Sequence, residues 1–316
     1  MRPLPAALCA LIFALPADAG GGQRRASVDS YPLTDCPGGS MIVGSFPLGG
    51  DSPYTVAVFH EGYKTLADAR EALRRRGLDP AALVNGGYFD PERDEILSYY
   101  KSSFFATHAP HNSSQGPRAC MAFDPKTKKL AVLQSSDDNY ALWSRGVGEV
   151  YCAGPQLVEN GADVSARQSC AEHFLPRCRS DHSDSGADLR VDAPRTGSCV
   201  TEDGTLKLFS ANSRARRCGA TARWMARTMV KHGCADGMNH DGGGSAKMFV
   251  SVGGESATAA GDRENRGRAV PVWLAVLRGS VQGASNGGEA TGSFPSGLSS
   301  PNSSRATASS DESVIP

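Results

Sequence analysis

Asp236-Gly237-Met238-Asn239-His240-Asp241-Gly242-Gly243-Gly244-Ser245 stands between a helical pattern and the apolar run Met248, Phe249, Val250. Three glycines in a row behind a carboxylate describe backbone that turns sharply and stays uncovered by side chains, so that something can approach it. The stretch fixes a chain reversal and offers Asp241 and the amides of Gly242, Gly243 and Gly244 as candidate site groups. A plain hairpin turn satisfies the same residues, so the reading depends on agreement from other segments.

The chain has 316 residues, 40% of them hydrophobic, with 33 acidic and 33 basic side chains. That length suits one large domain or two smaller ones, and the even charge gives no bias towards nucleic acid or a membrane surface. Arg2, the apolar run from Leu4 to Leu15 and the small-x-small Ala17-Asp18-Ala19 read as a secretory signal peptide over residues 1–19. No later apolar run has the length a bilayer requires, so no membrane span is expected. Of nine cysteines, Cys9 falls in that leader. Cys36, Cys120, Cys152, Cys170, Cys178, Cys199, Cys218 and Cys234 remain, an even set suited to an oxidising compartment. None lies in a Cys-x-x-Cys pair, which argues for staples across loops and against a zinc site or redox dithiol, while their pairing stays open.

Residues 20–40, rich in Gly, Arg, Ser and Pro, read as a flexible lead-in to strands at Met41 to Phe46 and Thr55 to Phe59. Thr65 caps a helical pattern through Leu66, Ala69, Ala72 and Leu73, with Asp68 as capping-box partner and Gly77 as the stop. Ala81-Ala82-Leu83-Val84 then runs into Asn85-Gly86-Gly87-Tyr88-Phe89, a buried strand stopping at a tight turn that presents Asn85 and glycine amides. Residues 98–117 show no periodicity and read as a long surface loop; His108 and His111 in it are expected to be solvent-exposed. Hairpins are expected around Asp124-Pro125-Lys126-Thr127-Lys128-Lys129 and around Glu202-Asp203-Gly204, the latter opened by Arg195-Thr196. A lone Arg in that position is ordinarily a surface charge. Residues 161–194 read as a polar, disulfide-pinned insertion. A second helix runs from Thr221 through Ala222, Met225, Ala226, Met229 and Val230 to a C′ glycine at Gly233. After a last strand, Val270 to Leu277, residues 280–316 read as a disordered Ser/Gly-rich tail.

Four segments in this order resemble the phosphodiester glycosidase family: Asn85-Gly86-Gly87-Tyr88-Phe89-Asp90, Gly154-Pro155-Gln156-Leu157-Val158-Glu159-Asn160-Gly161, Arg195-Thr196 before its hairpin, and Asn239-His240-Asp241-Gly242-Gly243-Gly244-Ser245. The family includes an enzyme that removes N-acetylglucosamine from a phosphodiester on mannose, and the likeness spans about residues 40 to 278. Where the family usually carries a Glu in the helix before the glycine motif, this chain has Trp224. His240 replaces an apolar residue, and Ala211-Asn212 replaces an Asp-Gly.

The resemblance implies a glycan or sugar-phosphate substrate, with Asp241, Asn85 and Arg195 at the catalytic centre. It places Gly86, Gly87, Thr196, His240, Gly242, Gly243, Gly244 and Ser245 around the substrate. Ordinary glycosidases need two carboxylates because an alkoxide must be protonated as it leaves. A sugar 1-phosphodiester instead releases a phosphate monoester, with a second pKa near 6, so a strong general acid is dispensable. In the expected division of labour, Arg195 binds phosphate and the glycine amides form an anion nest. Asp241 stabilises the oxocarbenium-like centre or activates water, with Asn85 and His240 on sugar hydroxyls. No cofactor is expected, and any metal requirement stays open. Two classes of function follow: a hydrolase, and a non-catalytic carbohydrate-binding module in which Trp224 stacks on a sugar. The expected architecture is α+β (mixed α/β), a mixed sheet with several hairpins and two main helices, disulfide-stapled, in one domain over residues 41–279.

Overall fold

The computed structural model describes residues 25–279 except 34–35, 37, 110–118, 135–145, 147, 168–191, 213–218 and 261–266. The expected leader, the tail, His111 and Cys170 and Cys178 lie outside the described residues.

Strands are numbered in chain order. A seven-stranded sheet runs β1 (Ser27–Pro32), β2 (Ser40–Pro47), β15 (Thr205–Asn212), β14 (Arg195–Thr201), β16 (Cys234–Asn239), β12 (Gln156–Glu159), β13 (Ala162–Asp163). A second sheet of five runs β18 (Glu255–Ala260), β17 (Lys247–Val252), β4 (Asp79–Asn85), β19 (Trp273–Arg278), β3 (Tyr54–Phe59). A third of five runs β10 (Lys129–Gln134), β9 (Ala119–Asp124), β11 (Glu149–Cys152), β7 (Tyr100–Ser102), β8 (Thr107–His108). β5 (Phe89–Asp90) and β6 (Glu95–Ile96) form a small hairpin. Helices α1 (Leu66–Arg75) and α2 (Ala222–Lys231) start and stop where the capping residues indicate: Thr65 and Thr221 accept the N-terminal amide bonds, and Gly77 and Gly233 have positive φ.

Residues alternate across each strand, and that alternation builds the layers. Ile42, Phe46, Val200, Leu208 and Met238 of the first sheet face Val84, Met248, Val250 and Leu274 of the second and Met121 and Phe123 of the third, in one apolar core. The opposite face of the first sheet carries α2 through Met225, Ala226 and Met229 against Cys199 and Phe209. The outer face of the second carries α1 through Ala69, Ala72 and Leu73 against Phe59, Leu83, Phe249 and Trp273. Bare backbone seats α2: a Cβ on Gly197 would fall 2.6 Å from Met229 Cε and 2.7 Å from Met238 O.

Several expectations change. The molecule is predominantly β, and every described strand pair is antiparallel, so the sheet is not mixed; the two helices and the disulfide staples stand. Part of the 20–40 lead-in is the edge strand β1, held by pairing with β2 and mostly exposed, which is why its residues show little apolar pattern. Residues 98–109 hold the short strands β7 and β8, and β13 with a single 3-10 turn (Ser165–Arg167) occupies the start of the polar 161–194 stretch. Cys120–Cys152 staples β9 to β11, Cys199–Cys234 staples β14 to β16, and Cys36 is disulfide-bonded as well. Among the described residues no helix is long and apolar enough to cross a membrane.

Glu149 joins the second and third sheets. Its buried carboxyl accepts from Val58 N at 2.7 Å, Ser102 Oγ at 2.7 Å and Phe104 N at 2.9 Å. Burial outweighs those bonds and pushes its pKa up from 4.5 to about 7. The folded state thus binds the proton more tightly than the unfolded chain. The associated stability, about 3 kcal/mol, is fully present below about pH 4.5 and lost as pH rises to about 7. Denaturant titrations across that range should show the decline in the wild type, and Glu149→Gln should remove its upper part.

Candidate active site

The C-terminal ends of β4 and β16 and the N-terminal ends of β14 and β17 meet at one edge of the two facing sheets. Asn85 closes the junction. Its Oδ1 accepts from Thr196 Oγ1 at 2.7 Å and from Lys247 N at 2.9 Å, while Nδ2 donates to Asp241 O at 2.8 Å. One side chain, 1% exposed, thereby joins the last residue of β4 to β14, to β17 and to the glycine turn. Backbone bonds complete the frame: Asp241 N to Gly86 O at 3.2 Å, His240 N to Thr196 O at 2.9 Å and Gly154 N to Asn239 O at 2.8 Å.

The structure brings Asn85, Arg195, Thr196 and the Asp241–Ser245 turn together, but several side chains act differently from expectation. His240 is fully buried on the inward face, and so does not reach a sugar hydroxyl. Its Nδ1 lies 2.9 Å from Asn85 O, an acceptor only, so Nδ1 carries the proton; Nε2 then faces the hydroxyls of Ser198, at 2.8 Å, and Tyr151. Burial drives its pKa down to about 3 against the opposing bond to Asn85, and drives the Tyr151 phenol up, so both stay neutral. Arg195 is not a surface charge. It is 4% exposed, donates from Nε to Ala220 O at 2.5 Å, and lies against bare Gly242, where a Cβ would stand 3.9 Å from Nη1.

The expected anion nest is largely occupied by the protein itself. Gly86 N donates to Val272 O at 2.8 Å, Gly243 N to Pro194 O at 2.8 Å, and Gly242 N to the Asp241 carboxyl. These amides shape the turn. Gly87 is required for close approach, since a Cβ there would fall 2.2 Å from Cys152 O and 2.5 Å from the Ser98 side chain.

Asp241 is half-buried, and desolvation pushes its carboxyl up to about 6. Ser245 and Gly242 donate to it, and the charges of Arg268 and Lys247 act in the same downward direction, without overcoming burial. A carboxyl with this pKa passes protons near neutrality, which suits a general base. Lys247 is fully buried, with Nζ 2.5 Å from Gly244 O. It sits beneath the turn.

Lys247, Tyr151, Ser198 and Arg268 were absent from the sequence-derived site. A charged residue heading the apolar strand Lys247-Met248-Phe249-Val250 was the available signal; the others meet only through long-range packing. Trp224 is 37% exposed on the first turn of α2, next to the Ala220 segment that Arg195 holds. A cavity of about 690 Å³ lined by Arg25, Glu202, Lys207 and His232 contains none of these site residues. Among the described residues no group of three His, Cys, Asp or Glu is arranged to hold a metal.

Strand ends joined through an asparagine and a carboxylate-glycine turn define the class: the chain belongs to the phosphodiester glycosidase family, whose model matches residues 79–277. It is similar to the catalytic domain of zebrafish N-acetylglucosamine-1-phosphodiester alpha-N-acetylglucosaminidase, auto-inhibited by its pro-peptide, with 18% identity and a TM-score of 0.58 over 81% of this chain and 85% of that one. A hypothetical protein from Synechocystis shares the fold at 13% identity and a TM-score of 0.52, over 80% of this chain and 62% of that one. The SPbeta prophage-derived uncharacterized protein YomE of Bacillus subtilis (strain 168) is 28% identical over 136 residues, 43% of this chain and 19% of that protein. The match therefore spans about a fifth of that relative's length.

Proposed function

We propose that the protein is an exported hydrolase that cleaves the sugar–phosphate bond of a glycosyl-1-phosphodiester, with an N-acetylglucosamine-type sugar. The observation that carries this reading is the Asp241 carboxyl, pushed up to about 6 at the junction that Asn85 holds together. Water attacks the anomeric carbon and passes a proton to ionised Asp241. The bond from that carbon to the phosphate oxygen breaks, and its electron pair leaves with the phosphate monoester. That leaving group needs little protonation, which accounts for a site where Trp224 stands in place of the family's helix Glu. Asn85, Thr196 and His240 act as positioning residues for Asp241. Disulfides support export.

The exposure of Trp224 favours a second reading, a carbohydrate-binding module without turnover. Incubation of the purified protein with an aryl or UDP-linked N-acetylglucosamine phosphodiester separates the two. Release of free sugar is expected; saturable binding with no sugar released would favour the binding module.

A further inference from the structure

With Arg195 buried beneath the turn, the phosphate needs another cation, and resting on the hydrolase reading we infer that Arg268 receives it. Gly86 donates to Val272 O at 2.8 Å and accepts from Asp241 N at 3.2 Å, so the strand-entry segment ending at Val272 runs beside the Asp241 turn. Reciprocal bonds between Val270 and Lys64, at 2.9 and 3.1 Å, pin that segment two residues from Arg268. Arg268 is exposed, and its charge reaches the Asp241 carboxyl. An exposed guanidinium whose charge acts on the Asp241 carboxyl offers five donors in the planar fork that matches phosphate oxygens.

The chemistry requires a cation there. Two anions, ionised Asp241 and the phosphodiester, must share the site, and a positive charge between them reduces their repulsion. As the bond between the anomeric carbon and the phosphate oxygen breaks, the phosphate passes from a monoanion to a dianion. A donor already placed where that charge grows stabilises the transition state more than the ground state. Arg195, 4% exposed and bonded to Ala220 O, is then a positioning residue that holds the Gly242 turn and the start of α2 together.

The test uses the purified full chain as wild type, Arg268→Gln and Arg268→Lys, with two readouts: calorimetric titration of inorganic phosphate and hydrolysis of the aryl N-acetylglucosamine phosphodiester. Arg268→Gln should weaken phosphate binding at least about tenfold and lower kcat/KM by about a hundredfold, the range for losing a charge-assisted contact. The lysine variant should fall between, retaining charge without the fork. The melting temperature should not move, because the side chain is exposed. Equal phosphate affinity in wild type and Arg268→Gln overturns the assignment, as does a wild type that binds no phosphate at millimolar concentration. Arg268-dependent phosphate binding in a protein that hydrolyses no glycosyl phosphodiester upholds the anion site and sinks the hydrolase reading. Wild-type hydrolysis by Arg268→Gln does the reverse.

Discussion

Asp241→Asn should lower kcat/KM for a glycosyl-1-phosphodiester by about 10² to 10⁴-fold, the range for losing a positioned general base. The fold should survive. An asparagine oxygen can accept from Ser245 or Gly242 as the carboxylate does, and the backbone bonds of residue 241 to Asn85 and Gly86 do not involve the side chain. At neutral pH the variant should be at least as stable as the wild type. The folded pKa, about 6, exceeds the unfolded 3.8, so ionising Asp241 in place opposes folding, by about 3 kcal/mol before solvent screening of a half-buried group discounts it. Loss of activity with unchanged or increased stability marks a residue kept for chemistry. Thermal melts beside initial rates measure both, and a variant that loses activity only because it unfolds would remove that argument.

Asn85→Ala should damage both properties. It strands the Lys247 amide at the meeting of two sheets and leaves the Thr196 hydroxyl and the Asp241 carbonyl, 3.5 Å apart, only each other as partners. At about 1 to 3 kcal/mol for a buried unpaired group, with a lengthened Thr196–Asp241 bond beside it, the cost is about 2 kcal/mol or more. A displaced Asp241 should cost a further hundredfold in turnover, as small misplacements of reacting groups do. Asn85→Asp keeps an acceptor for Thr196 and Lys247 but sets a second oxygen against Asp241 O and buries a carboxyl, so it should lower stability as well as turnover. Chemical denaturation and rate measurements on the two variants check this; equal activity in Asn85→Asp and wild type would show that the hold on Asp241 is dispensable.

Much of the local structure was legible in the sequence. Thr65 as an N-cap, the second helix starting at Thr221, Gly77 and Gly233 as stops, both charged hairpin turns, and the strand end at Asn85 follow from local rules and hold in three dimensions. What was hidden depends on which face a residue takes and on which distant strand it meets. Arg195 reads as a surface charge because nothing local says that it begins β14 on the face α2 covers. His240 reads as a ligand group because the hydroxyls that absorb it, on Tyr151 and Ser198, are 89 and 42 residues away. The glycine amides suggested a nest, but their partners Val272 and Pro194 become neighbours only when the sheets close. Arg268 gave no signal, because the segment that enters β19 meets Gly86 only in the folded chain.

The central claim is that Asp241 acts as a base held near neutrality. Its direct measure is the pH dependence of kcat/KM for sugar release from an N-acetylglucosamine phosphodiester, wild type against Asp241→Asn. The wild-type value should rise with unit slope on a logarithmic scale up to about pH 6 and then level, while the residual activity of the variant shows no such limb. A wild-type profile flat from pH 4 to 8, or the same acid limb in Asp241→Asn, would contradict it.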